Sequence, residues 1–240
     1  MNELLLILTA LGSAGFVFAA WRFGKERLYT VIIVFLILIA SVGGKIVEFF
    51  GHETNTGNIF YASVFLATYF LIERFGKRAG IYSIWVGILI IIFYTALAQM
   101  TIALTGSPAT ASLNDALTTA YSPVSRVALA SLIAYALSQN LNVYLYLFLK
   151  QKIPNQKSLW LRANTSNFFA QIFDSLVFFT IAFWGTIAPA NIGEIIVTGF
   201  IIKIVYMGVA SLLLYLNNVE EEKFRSLAQC LWRVPCFGLR

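Results

Sequence analysis

Charge is what this chain has least of. Only 12% of its 240 residues are Asp, Glu, Lys or Arg, against roughly a quarter in soluble domains. That leaves too little polar surface to wrap a water-soluble globule, so the soluble classes fall away first. Cysteine is scarce as well. The two present, Cys230 and Cys236, lie near the carboxyl end in a segment expected in the cytoplasm, where thiols stay reduced. Their spacing matches no zinc motif, and the single histidine, His52, falls in an outer connection. Walker A, paired-histidine zinc and GxSxG sequences are also missing, so an enzyme would have to work without recognisable machinery. No catalytic residue, metal ligand or cofactor is assigned.

Apolar residues are what the chain has in excess, at 59%, with 21 Phe and 11 Tyr. Such aromatics suit lipid-facing helices and interfacial belts, and they also suit the lining of a cavity for a flat ligand. The net charge of +6 raises the question of a nucleic-acid partner. The Lys and Arg form no stripe or aromatic-interleaved face, so none is expected; they sit between apolar runs and read as topology signals.

Runs long enough to cross a hydrocarbon core of about 30 Å recur with polar breaks between them. The expected spans are 3–21, 28–50, 58–73, 79–104, 122–149, 166–187 and 192–216. The third is short for a spanning helix. The first opens on Met1, Asn2 and Glu3 rather than on basic residues, which argues for a true span over a signal peptide.

Alternate connections then differ in the way the positive-inside rule demands. Arg22, Lys25 and Arg27 follow the first span, Arg74, Lys77 and Arg78 the third, and Lys150, Lys152, Lys157 and Arg162 the fifth. The connections 51–57, 105–121 and 188–192 contain neither Lys nor Arg. Seven spans keep this alternation, with the amino terminus outside and the carboxyl terminus cytoplasmic. The expected fold is therefore an all-α polytopic bundle over residues 1–216 of the plasma membrane. A cytoplasmic tail, 217–240, follows it, with Phe224, Leu227, Ala228, Leu231 and Trp232 on one face of a short interfacial helix.

Several polar residues fall inside these spans. Lys45, Arg126 and Lys203 are cations whose burial costs at least about 2.5 kcal/mol, unless they snorkel to an interface. Asp174 lies in the body of the sixth span, with Gln171 on the same face and Asn164 further along that stripe. A carboxylate accepts from N–H donors while an amide offers both a donor and an acceptor, a set that suits a guanine-like edge better than an inorganic ion. Interhelical hydrogen bonding, or neutralisation of Asp174 by Lys45 or Lys203, is the structural alternative. The fifth span adds Ser138, Gln139, Asn140 and Asn142, dense enough to argue for a water-accessible cavity, and Gln139 and Asn142 share a face. Glu73 and Arg78 flank the end of the third span, where a solvated ion pair is expected.

The run Trp160-Leu161-Arg162-Ala163-Asn164-Thr165-Ser166-Asn167-Phe168-Phe169-Ala170-Gln171-Ile172-Phe173-Asp174-Ser175 resembles a signature of the vitamin uptake transporter family, R-N-N-x-S-T-x-x-S-Q-x-x-D-T/S preceded by Trp. Phe178, Phe183 and Gly185 continue it. Ala130-Ser131, Ser138-Gln139 with Asn142, Glu73-x-x-Gly76-x-Arg78 and Lys45 resemble further family elements. Ala163, Asn167 and Ala170 replace polar family residues, Asn142 stands for an Asp, and Thr68 sits where an acid is common. The similarity covers roughly residues 40–215.

The resemblance implies uptake of a 7-deazaguanine base, such as 7-cyano-7-deazaguanine, by alternating access. It also implies a six-helix core like the substrate-binding subunits of energy-coupling vitamin importers, with one extra leading span. Asp174 and Gln171 would hold the purine-like edge, with Asn164, Gln139 and Asn142 as companions and Lys45 and Glu73 as further family positions. The expected partners are a small heterocyclic solute and the lipid bilayer, together with either a second copy of the chain or an energising module. A vitamin-binding subunit that needs an ATP-driven module, a lipid-modifying enzyme and a ligand-free scaffold are the rival readings.

Overall fold

The computed structural model describes residues 2–43, 45–121, 125–155, 158–183 and 200–201. It is a helical membrane bundle. Helices α1 (Asn2–Phe23), α2 (Lys25–Val42), α3 (Gly57–Phe75), α4 (Lys77–Ile102), α6 (Ser125–Lys152) and α7 (Leu159–Phe183) correspond to the first six expected spans, and a short α5 (Ala111–Tyr121) precedes α6. Apart from Phe200 and Ile201, the seventh span, with Lys203 and the tail, lies outside the described residues.

Among the described residues three helices, Asn2–Phe23, Lys77–Ile102 and the Ala130–Lys152 part of α6, are long and apolar enough to cross a bilayer by themselves. α3 shows why the others need not be. Every residue from Ala62 to Ile72 is buried, because α1, α2 and α4 pack around this helix. A helix shielded from lipid can be short and can carry hydroxyls on its surface, whereas α1 and α4 turn Leu4, Leu8, Trp85, Leu89 and Phe93 outward.

Two of the turns are built alike. α1 joins α2 through Gly24 (φ 107°, ψ −179°), and α3 joins α4 through Gly76 (φ 82°, ψ 178°). Both conformations belong to a region that is essentially reserved for glycine. The flanking residues repeat too: Arg22-Phe23-Gly24-Lys25 matches Arg74-Phe75-Gly76-Lys77. The repeats sit side by side. Arg22 and Arg74 both lie over the Trp21 ring, 5.8 and 5.2 Å from its centroid, Arg74 Nη1 donates to the Trp21 carbonyl at 3.0 Å, and the Tyr29 and Tyr82 rings are 5.3 Å apart. The first four helices are thus two similar hairpins whose basic turns share one end of the bundle.

One connection departs from the expected spans, and a second, in its expected place, carries a short helix. α2 stops at Val42 instead of continuing to residue 50, and an antiparallel hairpin follows, β1 (Ile46–Phe49) with β2 (His52–Asn55), pairing Ile46 with Asn55 and Phe49 with His52. Gly43 and Gly44 are poor helix formers, and β-branched Ile46 and Val47 fit a strand, so the apolar run misled by hydropathy alone. The hairpin turn has positive φ at both Phe50 (49°) and Gly51 (78°), as tight hairpins require. Lys45 therefore lies outside the helix, exposed in the turn before β1. The connection 105–121 contains a turn of 3-10 helix at Pro108–Thr110, which Ser107 caps, and then α5, whose Leu113 and Leu117 remain exposed.

Because the glycine-only backbone is what lets each hairpin close in one residue, Gly24→Ala and Gly76→Ala should each cost about 1–3 kcal/mol. Thermal unfolding in detergent should show a lowered midpoint for both. No atom lies within 4 Å of a Cβ built at either position, so the loss is conformational rather than steric.

Candidate functional site

A polar band runs between α3 on one side and the antiparallel pair α6–α7 on the other. Its origin is a matter of spacing. On α3, Tyr61, Phe65, Tyr69 and Glu73 recur every four residues and so share a face. On α6, Ser138, Gln139, Asn142, Tyr146 and Lys150 follow the same rule, and on α7 so do Arg162, Ser166, Asn167, Gln171 and Asp174. Because α7 runs opposite to α6, the late residues of one meet the early residues of the other, and the band resolves into levels.

At the level farthest from the basic turns, Asp174 (9% exposed) accepts hydrogen bonds on Oδ1 from the Tyr61 hydroxyl at 2.7 Å and the Ser138 hydroxyl at 2.9 Å. These hydroxyls are 3.2 Å from each other, so a carboxylate and two O–H groups form a triangle joining α3, α6 and α7. Tyr135 and Phe65 lie beside Tyr61, with ring centroids at 6.2 and 5.2 Å.

The next level holds amides. Gln171 Nε2 donates to Asn167 Oδ1 at 3.4 Å. Below it the Tyr69 hydroxyl donates to Asn142 Oδ1 at 2.9 Å, and Ser166 Oγ donates to Tyr69 at 3.4 Å. Four amide atoms here find no hydrogen-bond partner among the described residues: Gln139 Nε2, Gln139 Oε1, Asn142 Nδ2 and Gln171 Oε1. Gln139 and Asn142 are wholly buried and Gln171 is 1% exposed. Buried amides cost about 1–3 kcal/mol for each group left unmade.

At the level of the basic turns, Glu73 Oε2 accepts from Tyr146 at 2.6 Å and Lys150 at 2.9 Å, while Glu73 Oε1 faces Arg162 Nη2 at 3.6 Å. This corrects two expectations. Arg162 is not a loop charge but lies fully buried in the first turn of α7, donating Nη1 to the carbonyls of Ile153 and Asn155 at 2.8 and 2.9 Å. Glu73 is met by Lys150 and Arg162, with Arg78 left exposed at the start of α4.

The structure therefore brings Asp174, Gln171, Gln139 and Asn142 together, with Glu73 at the end of the same band. Asn164 is half-buried at the edge of the α7 face, and Lys45 stands apart from it. The Arg126 side chain lies outside the described residues. Tyr61 and Tyr69 were not singled out from the sequence; their four-residue recurrence through Phe65 to Glu73 was the available signal. A cavity of about 220 Å³ opens elsewhere, between α4 and α5, lined by Tyr94, Ala98, Asn114, Thr118 and Tyr121 among others. It shares no residue with the band and contains no charged group.

Comparison with known proteins agrees with this architecture. Residues 55–217 match the model of the vitamin uptake transporter family. A protein of Bacillus subtilis (strain 168) named "Probable queuosine precursor transporter" is 34% identical over 188 residues, covering 75% of this chain and 79% of its own. The "Queuosine precursor transporter" of Escherichia coli (strain K12) is 29% identical over 165 residues, 66% of this chain and 70% of its own. No solved structure matches. The family match takes in α3 through α7, the helices that supply every level of the polar band, and the chain belongs to the vitamin uptake transporter family.

Proposed function

We propose that the protein imports queuosine precursors, 7-deazaguanine bases such as 7-cyano-7-deazaguanine, across the plasma membrane by alternating access, without covalent chemistry. The names of its relatives support the solute. The observation that carries the site is the set of four buried amide atoms with nothing to bond. Two donors and two acceptors, all neutral, suit a planar lactam-like edge that itself alternates donor and acceptor. Tyr61, Phe65, Tyr69, Tyr135 and Tyr146 supply flat faces against which such a ring system can stack. Asp174, between two hydroxyls, is the acceptor for the solute's N–H groups, with Gln171, Gln139 and Asn142 around the rest of its rim.

The amide atoms have no solvent contact, so this state is closed and the solute enters when α3 and the α6–α7 pair separate. The basic turns face the cytoplasm and the amino terminus lies outside, as the charge alternation indicates.

The test supplies a labelled 7-deazaguanine base to cells unable to make one and reads the modified tRNA. Expression of this chain alone should restore the modification, and Asp174→Asn should abolish it at equal expression. Restoration that requires an added ATP-driven module would make the chain a binding subunit instead. Full transport by Asp174→Asn would remove that residue from the site.

The orphaned amides make a second, opposite prediction. Gln139→Leu removes two unsatisfied buried atoms, so it should stabilise the solute-free protein by about 1 kcal/mol or more, read as a raised unfolding midpoint, while uptake is lost. A destabilised Gln139→Leu would mean that the amide serves the fold rather than the solute.

A further inference from the structure

Glu73 was expected among the solute contacts, but its surroundings differ from those of the amides. Its carboxylate already has three partners, Tyr146, Lys150 and Arg162, contributed by α6 and α7. A neutral base gains little by displacing a lysine from an acid. The position is also terminal: Glu73 lies about 18 Å along α3 from Tyr61, in the last turn. Lys150, beside it, is already partly exposed.

The unexplained group is Arg162. Its Nη1 is spent on two backbone carbonyls of the α6–α7 connection, which fixes the guanidinium in place. Among the described residues its Nε and Nη2 find no hydrogen bond, although the side chain has no exposure at all. These two atoms form the side-on edge of the guanidinium, the fork that takes a carboxylate through two parallel bonds. The fork is thus paired with Glu73 only loosely, through Oε1 at 3.6 Å from Nη2, too long for a hydrogen bond.

We propose that Glu73, Tyr146, Lys150 and Arg162 are a latch that closes the basic end of the space between α3 and the α6–α7 pair, and that Glu73 exchanges between Lys150 and the fork of Arg162 as the latch works. Arg162 is the fixed post. Glu73 and Lys150 are the movable parts, since both keep some exposure. A displacement of about 1 Å would bring Glu73 Oε1 within hydrogen-bond distance of Arg162 Nη2, and release of Oε2 from Lys150 would leave it available to Nε. Glu73 therefore positions helices and does not touch solute. The direction of passage rests on the import reading; the opening and closing do not.

The test uses the full chain with Cys230 and Cys236 changed to Ser and a reporter, Ser166→Cys. Ser166 is wholly buried one turn from Arg162 along α7. Membrane vesicles presenting the basic face are treated with an impermeant maleimide, without solute. Glu73→Gln should raise the labelling rate about tenfold, whereas Lys150→Met, in which Glu73 can still seat in the fork, should stay within about twofold of the parent. Both should bind a labelled 7-deazaguanine base within about threefold of the parent, and Glu73→Gln should lose uptake. Unchanged labelling in Glu73→Gln overturns the proposal, as does a loss of binding as large as the loss of uptake. If Glu73→Gln fails to accumulate, Glu73→Asp decides: the shortened acid reaches less far toward Arg162 and should label several-fold faster than the parent, and labelling as slow as in the parent refutes the latch. A parent that binds no such base would defeat the solute assignment while leaving the labelling result to judge the latch.

Discussion

An acid inside a membrane bundle has to be met by donors from the protein, because lipid offers none. Here Asp174 is met by the hydroxyls of Tyr61 and Ser138, one from α3 and one from α6. That triangle decides much of the rest. It sets α7 against α6 with their polar faces in common, and it draws both toward α3, which can offer a hydroxyl there only because α1, α2 and α4 keep it out of lipid. A tyrosine is a suitable reach: its ring is apolar enough for the bundle interior and its O–H crosses the gap between helices. The same device recurs at Tyr69 with Asn142 and at Tyr146 with Glu73.

The two sides of the band are held in different ways. α1 to α4 form paired hairpins with identical Arg-Phe-Gly-Lys turns, and Trp21 is gripped by an arginine from each. α6 and α7 pack closely along each other. Between these bodies α3 meets α6 through long side chains more than through close backbone approach. α4 packs closely on α6, with Gly80 against Val143 and Gly87 against Tyr135, so the hydroxyl contacts and the ion cluster beside α3 can exchange while that seam stays as a pivot.

Hydropathy made the spans legible because lipid contact demands apolar surface, and it is most informative for α1 and α4, which face lipid. It misled at residues 43–50, where the signal needed was local: two glycines and β-branched residues ended α2 and began a strand. Asp174, Gln171, Gln139 and Asn142 were legible as a candidate site because polar groups in such runs are costly and shared faces follow from helical spacing. Arg162 could not be placed by the same means. A cation near a boundary looks like a topology signal until the structure shows that it is buried against Glu73 and the carbonyls of Ile153 and Asn155. Tyr61 and Tyr69 were hidden for the opposite reason: a tyrosine in an apolar run reads as an ordinary core aromatic, and its partner lies on a helix far along the chain.

The distribution of charge along the band fits the proposed passage of a neutral base. Formal charge is confined to its two ends, Asp174 at one and the Glu73 cluster at the other, and the middle contains only amides and hydroxyls. A charged solute would need a counter-charge in that middle, since an unpaired ion there pays the full cost of desolvation. A neutral planar base would not, because amides can match its donors and acceptors group for group. The fully charged end is then free for another task. Its ion pairs are strong where water is excluded and weaken as water enters, so they hold the closed state and yield as it opens.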